Sequence, residues 1–324
     1  MLTARAPLRI SFFGGGTDLP AYYRHDYGAV LSTAIDKYVY VTVKRHGDIF
    51  LEPFRLTYSV TELVDSLDEI KNDIAREGIR LLDVPPPLYV STIADLPAAS
   101  GLGSSSAFAS ALILALHTYQ GRSVSSSRIA EEACRLEIDI LGKPIGKQDQ
   151  YASALGGVNF IRFDGDGSVT VRAMNLSPDQ SQRLFGSLML FFTGLTRSAD
   201  TILARQSRDT GLNLPQLDRM RSQAEEFSEL LARGEVDEAT LGGMLDETWQ
   251  IKRELAEGIT NPLIDELYAK ARKAGALGGK VTGAGGGGFL LLCVPEDSRE
   301  AVREAMAPLS EVQFHADHTG ATLL

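Results

Sequence analysis

Residues 97–107, Pro-Ala-Ala-Ser-Gly-Leu-Gly-Ser-Ser-Ser-Ala, hold the residue types that bind a phosphate. They lie between a strand-like run at 88–93 and an unbroken helical run at 107–119. Glycines let the backbone approach an anion, and the start of a helix adds unpaired N–H groups and the positive end of its dipole. The Walker spacing is absent. A helix cap uses one serine, and three serines after Gly-Leu-Gly exceed that need. The expected ligand is a phosphate.

Three further constellations could share in that chemistry. Lys280-Val-Thr-Gly-Ala-Gly-Gly-Gly-Gly-Phe289 opens onto an apolar run, where a flexible linker would not, so it is expected to clasp a ligand or another chain segment. Ala6-Pro-Leu-Arg-Ile-Ser-Phe-Phe-Gly-Gly-Gly-Thr-Asp18 ends in a glycine turn followed by a potential cap. Glu137 lies near the end of a helical segment, and Asp149 falls in the first turn of a short helix after Gly146-Lys147-Gln148. Taken singly, each carboxylate has an ordinary explanation as a helix-face or helix-start charge.

The elements that must position these groups are mixed. Alternating Val39, Val41 and Val43 predict a half-buried strand over 38–44. A helix is predicted over 125–141, with Ile129, Ala133, Leu136 and Ile140 on one face, broken by Pro144. Strands are predicted at 158–163, 169–173, 188–193, 289–294 and 312–316, with a mainly helical stretch from 198 to 275 and a helix over 297–308. Residues 45–84 carry no interpretable motif. Strands with helices grouped between them indicate an α+β fold. A domain boundary is expected near Ser187, giving domains 1–186 and 187–324.

The 324 residues include 32 Lys and Arg against 42 Asp and Glu, a net charge of −10 that argues against a nucleic-acid or anionic-membrane partner. No apolar run is long enough to span a bilayer. With no apolar signal core at its start, the chain is expected to be cytoplasmic. Cys134 and Cys293 suit buried reduced thiols. His315 and His318 point to opposite faces if extended, so a metal pair there is not expected.

Taken together, the four elements resemble the galactokinase, homoserine kinase, mevalonate kinase and phosphomevalonate kinase superfamily, with its three motifs in order. Three strings bring the resemblance nearest to the D-glycero-D-manno-heptose 7-phosphate kinases. They are Arg9-Ile-Ser-Phe-Phe-Gly-Gly-Gly-Thr-Asp-Leu-Pro20, Gly146-Lys-Gln-Asp-Gln-Tyr-Ala-Ser-Ala-Leu-Gly-Gly157 and Phe192-Thr-Gly-Leu-Thr-Arg-Ser198. Galactokinases carry Glu-His where Gly15 and Gly16 stand, which leaves room here for a longer acceptor. The resemblance implies an amino-terminal ribosomal-protein-S5-like domain and a ferredoxin-like carboxy-terminal domain.

It also implies roles. Pro97, Ser100, Gly101, Leu102, Gly103, Ser104, Ser105 and Ser106 would hold ATP, and Ser106 with Glu137 would hold Mg²⁺. Asp149 would accept the proton of the acceptor's anomeric hydroxyl, with Arg9 beside it. Gly15, Gly16, Thr17, Asp18, Gly283, Gly285 and Arg197 would face a phosphorylated sugar, heptose 7-phosphate, which would become the 1,7-bisphosphate. Charge and neighbouring motif alone, apart from the resemblance, make Arg197, Lys147 and Lys280 the candidate cations for its 7-phosphate. The alternatives are another sugar-1-kinase of the superfamily, acting on fucose or an unphosphorylated hexose, and a catalytically silent sugar and ATP sensor. A dinucleotide-binding oxidoreductase fails on the spacing of the glycines.

Overall fold

The computed structural model describes residues 1–47, 49–196 and 199–324. Along the chain, β1 (Leu2–Phe13), α1 (Pro20–Tyr23) and β2 (Tyr27–Arg45) precede β3 (Phe54–Thr57), β4 (Thr61–Val64), α2 (Asp73–Leu81) and β5 (Leu88–Ala94). Next come α3 (Ser104–Tyr119), α4 (Ser126–Cys134), α5 (Gln148–Leu155), β6 (Val158–Asp164) and β7 (Val169–Ala173). Then follow α6 (Pro178–Gly186), β8 (Leu188–Phe192), α7 (Ala199–Arg208), α8 (Leu214–Arg233), α9 (Glu238–Lys252) and α10 (Pro262–Lys273). The chain closes with β9 (Gly278–Val281), β10 (Phe289–Cys293), α11 (Arg299–Met306), β11 (Ser310–Glu311) and β12 (Thr322–Leu323).

Two sheets result. The larger runs β12-β1-β2-β5-β3-β4, with β6 and β7 added against β2; the smaller runs β11-β8-β10-β9 and is antiparallel. At 19 residues, β2 is long enough to pair with β1, β5 and β6 along different stretches. β1 is buried almost throughout because α3, α5, α8 and α9 all pack on it. Pro7, which cannot donate to a ladder, sits where the β1–β2 register shifts.

α3 is apolar all round, the pattern of a core helix, and packs against β1, β2 and α5. It begins at Ser104, three residues before the predicted start, because the left-handed backbone of Gly103 (φ 76°) makes the turn and the serines form the first turn. The helix predicted over 125–141 is α4 followed by a π-helical turn, Arg135–Ile140. The wider turn rotates the side chains beyond Leu136 about the helix axis. Ile129, Ala133 and Leu136 are buried as expected, whereas Ile140 is 40% exposed and Glu137 is turned fully inward.

Residues 312–316 are not the strand that the sequence predicted. After β11 pairs with β8, the chain crosses to the first sheet, where the Asp36 carboxylate accepts the His315 N–H and Ala316 bridges Ile35. The unreadable stretch 45–84 folds as β3, β4 and α2. Cys134 and Cys293 are buried free thiols. No described helix is long and apolar enough to cross a membrane.

Candidate active site

Asp149 stands in the first turn of α5, and Arg9 reaches it from β1 across 140 positions of sequence. The guanidinium grips both carboxylate oxygens, Nε to Oδ1 at 2.7 Å and Nη2 to Oδ2 at 2.8 Å, while Nη1 donates to the Gly101 carbonyl at 2.6 Å. Arg9 is 4% exposed, so this bidentate pair is held rigidly. The 97–106 loop wraps the pair. The Arg9 backbone N–H donates to Leu102 O at 3.0 Å, and a Cβ on Gly103 would sit 3.2 Å from Arg9 Cγ and 3.3 Å from Asp149 Oδ2. Gly103 therefore lets the loop lie directly against the ion pair.

Beside this pair, the start of α3 offers first-turn N–H groups that have no intrahelical partner. None of its serines caps the helix. The hydroxyls of Ser105 and Ser106 instead donate to Glu137, the latter at 2.6 Å, and Gln150 Nε2 donates to the same carboxylate at 2.8 Å. Lys143 Nζ lies 3.6 Å from Glu137 and donates to Ser105 Oγ at 3.2 Å.

The carboxy-terminal glycine run closes on the loop from the other side. A Cβ on Gly283 would lie 2.5 Å from Gly101 Cα, and one on Gly288 2.2 Å from Ser100 O. Only glycines permit that approach. Lys280, at the start of this run, donates through Nζ to Ser11 O at 3.0 Å and Phe12 O at 2.8 Å, tying β9 to β1.

Asp18 completes the arrangement. Its carboxylate accepts from Gly16 N at 3.0 Å, Gln148 Nε2 at 3.1 Å and Gln148 N at 3.3 Å. Burial first, and then the charge of Asp149, raise its pKa to about 6. Arg9, Asp149, Asp18, Ser105, Ser106, Lys143, Gly283 and Lys280 line one cavity of about 670 Å³, within the range of small-ligand sites, while Glu137 and Gln150 are fully buried and reach it only through the serines. Val39, Tyr58, Asn72, Ile74, Ile93 and Phe108 also line it.

Sequence family models match at both ends of the chain, the GHMP kinases N terminal domain over residues 63–157 and the GHMP kinases C terminal model over 232–309. A D-glycero-alpha-D-manno-heptose 7-phosphate kinase of Campylobacter jejuni is 30% identical over 97% of this chain and 96% of its own length. The chain is a GHMP kinase. This kinase is also similar to an L-fucokinase/L-fucose-1-P guanylyltransferase of Bacteroides fragilis, 29% identical over 92% of the chain, of which it spans about a third (35%). A crystal structure of a D-glycero-D-manno-heptose 1-phosphate kinase from Bacteroides thetaiotaomicron superposes with a TM-score of 0.81 at 23% identity, covering 100% and 99% of the two chains. That likeness establishes the two-domain mixed fold of the GHMP kinases.

Of the residues singled out in the sequence, Gly101, Gly103, Ser104, Ser105 and Ser106 line the cavity, as do Arg9, Gly15, Gly16, Asp18, Asp149 and Gly283. Pro97, Ser100 and Leu102 shape the loop from behind: Ser100 Oγ donates to Pro97 O at 2.7 Å, and Leu102 is fully buried. Thr17 is a correction. Its hydroxyl is spent on Gly14 O at 2.8 Å and Ala29 O at 2.9 Å, pinning the glycine turn instead of facing a sugar. Gly285 likewise packs on Ile259, and Lys147 Nζ turns away to Gly167 O at 2.5 Å. Arg197 lies outside the described residues. Lys143, Gln148, Gln150, Lys252, Tyr58, Asn72, Ile74, Ile93 and Phe108 were not read as site residues from the sequence.

The raised pKa of Asp18 has a testable sign. The folded state holds a proton that the unfolded state releases between about pH 4 and pH 6. Stability from this group is therefore full below about pH 4 and lost as pH rises through about 6. Denaturant titrations should show Asp18→Asn gaining on the wild type across that window, by roughly 3 kcal/mol at pH 7. A constant difference from pH 4 to pH 7 would contradict the assignment.

Proposed function

We propose that this GHMP kinase transfers the terminal phosphoryl group of ATP to the anomeric hydroxyl of D-glycero-D-manno-heptose 7-phosphate, giving the 1,7-bisphosphate. The observation that carries the reading is the carboxylate of Asp149, oriented by Arg9 and placed directly against a glycine-serine helix start. Phosphoryl transfer asks for positioning and charge neutralisation more than for covalent chemistry. The first-turn N–H groups of α3 would hold the ATP phosphates, and the end lined by Tyr58, Ile74 and Phe108 would take the base.

Kinases of this family generally use ATP with Mg²⁺. The residues present fit it: a fully buried carboxylate, Glu137, with the hydroxyls of Ser105 and Ser106 directed at it, supplies hard oxygen donors. Ser106 and Glu137 would hold the ion, which would neutralise phosphate charge.

The acceptor oxygen bonds to the γ-phosphorus as the bond to the ADP oxygen breaks. Its proton passes to Asp149 late, once the new bond has acidified the hydroxyl. Asp18, fixed by Gly16 and Gln148, would take sugar hydroxyls, and Gly15 and Gly16 leave that end open. We place the division between the two domains near Ser187, ahead of the first strand of the smaller sheet.

ADP release measured on heptose 7-phosphate, free heptose, fucose, mannose and galactose tests the assignment. The expected result is a marked preference for the phosphorylated heptose. Equal rates on free and phosphorylated heptose would favour the other sugar-1-kinases, and nucleotide binding with no ADP release on any sugar would favour a silent sensor.

A further inference from the structure

The cavity is lined by lysines that the transfer step does not use, together with the carboxylates of Asp18 and Asp200. Arg9 is committed to Asp149 and to the Gly101 carbonyl. Two more cations line the same cavity: Lys280 from β9, 2% exposed, and Lys252 from the last turn of α9, 6% exposed. Among the described residues neither has a carboxylate within ion-pair distance. Lys280 Nζ donates only to the Ser11 and Phe12 carbonyls, and Lys252 Nζ to Val281 O at 3.3 Å and to Gly283 O. In its protonated form each lysine has three donors and keeps one N–H for an anion.

Buried cations surrounded by neutral dipoles are costly, and a bound anion relieves that cost. Burial, followed by the charge of Arg9, lowers the pKa of Lys252 to about 7. Lys280 is pushed well below its ordinary range by burial, then by Lys252 and Arg9. A bound phosphate would favour the charged form of both lysines, and a neutral sugar would not. The ATP phosphates have their own donors in the first turn of α3, with Lys143 beside Ser105. Lys280 anchors on carbonyls two and three residues beyond Arg9 on β1, toward the open Gly15-Gly16 turn.

We infer that Lys252 and Lys280 form the subsite for the phosphate that the acceptor already carries, the group that is not transferred. The inference deepens the sugar-kinase reading above and rests on it for the identity of the acceptor. It makes the two lysines the determinants that separate a sugar phosphate from a free sugar.

Calorimetry on the full-length kinase saturated with a non-hydrolysable ATP analogue and Mg²⁺ tests it, with heptose 7-phosphate, free heptose and inorganic phosphate as the titrants. The wild type is expected to bind heptose 7-phosphate much more tightly than free heptose. Lys252→Met and Lys280→Met should each weaken the phosphorylated sugar by roughly 30-fold or more. Affinity for free heptose and for the ATP analogue should stay within about two-fold, and Lys252→Arg should recover part of the loss. Equal weakening of free and phosphorylated heptose would reduce the lysines to a structural role and overturn the inference. So would a loss confined to the ATP analogue, which would place them on the transferred phosphoryl group. A wild type that binds neither heptose 7-phosphate nor inorganic phosphate would overturn it as well. A wild type that binds heptose 7-phosphate through these lysines but releases no ADP would instead overturn the kinase reading and leave the subsite standing.

Discussion

Replacing Asp149 by Asn is expected to lower turnover roughly 10²–10⁴-fold, the range lost with a positioned general base, while ATP binding changes little. Asparagine keeps the shape of the side chain and one acceptor for Arg9, so the loop on Gly103 is not displaced. What disappears is the second carboxylate oxygen and the negative charge, and with them a place for the acceptor's proton. The loss should fall on the single-turnover rate at saturating ATP and sugar. A variant with wild-type turnover would remove Asp149 from the base role.

Glu137→Gln should have the second largest effect, a fall in turnover of about 10²–10³-fold joined to a higher Mg²⁺ requirement. The carboxylate is fully buried and gathers Ser105, Ser106, Gln150 and Lys143 around its two oxygens. A neutral amide presents an N–H₂ where one of those donors now points, and it removes the carboxylate that the Ser105 and Ser106 hydroxyls address. Titrating Mg²⁺ separates the two variants, because Asp149→Asn should leave the metal requirement unchanged. An unaltered Mg²⁺ dependence in Glu137→Gln would contradict the assignment of that carboxylate.

The site was legible in the sequence where its chemistry is written in contiguous strings. The 97–107 loop, the 280–289 run and the Arg9–Asp18 segment each need several glycines in a row, and such runs have few other uses. The structure brings all three to one cavity. What escaped was chemistry carried by single residues on ordinary elements. Lys252 reads as one more charge in the last turn of an amphipathic helix, and only folding shows it turned inward under the glycine run. Tyr58, Asn72 and Ile74 come from the turn after β3 and the start of α2, with no distinctive spacing.

Local geometry explains the remaining differences. A regular helical period cannot foresee the π turn that rotates Glu137 inward and leaves Ile140 exposed. The serine cluster was read as a phosphate site, and in the fold the hydroxyls of Ser105 and Ser106 serve Glu137, a partner more than thirty positions away. The apolar alternation of Val312, Phe314 and Ala316 reflects a segment passing from one sheet to the other, not a strand of either.

The most direct test is a crystal structure of the kinase with a non-hydrolysable ATP analogue, Mg²⁺ and heptose 7-phosphate bound together. The Asp149 carboxylate should lie within about 3 Å of the anomeric oxygen, with that oxygen in line with the γ-phosphorus. A ternary complex that holds the anomeric oxygen against some other group, with Asp149 out of hydrogen-bond reach, would contradict the account.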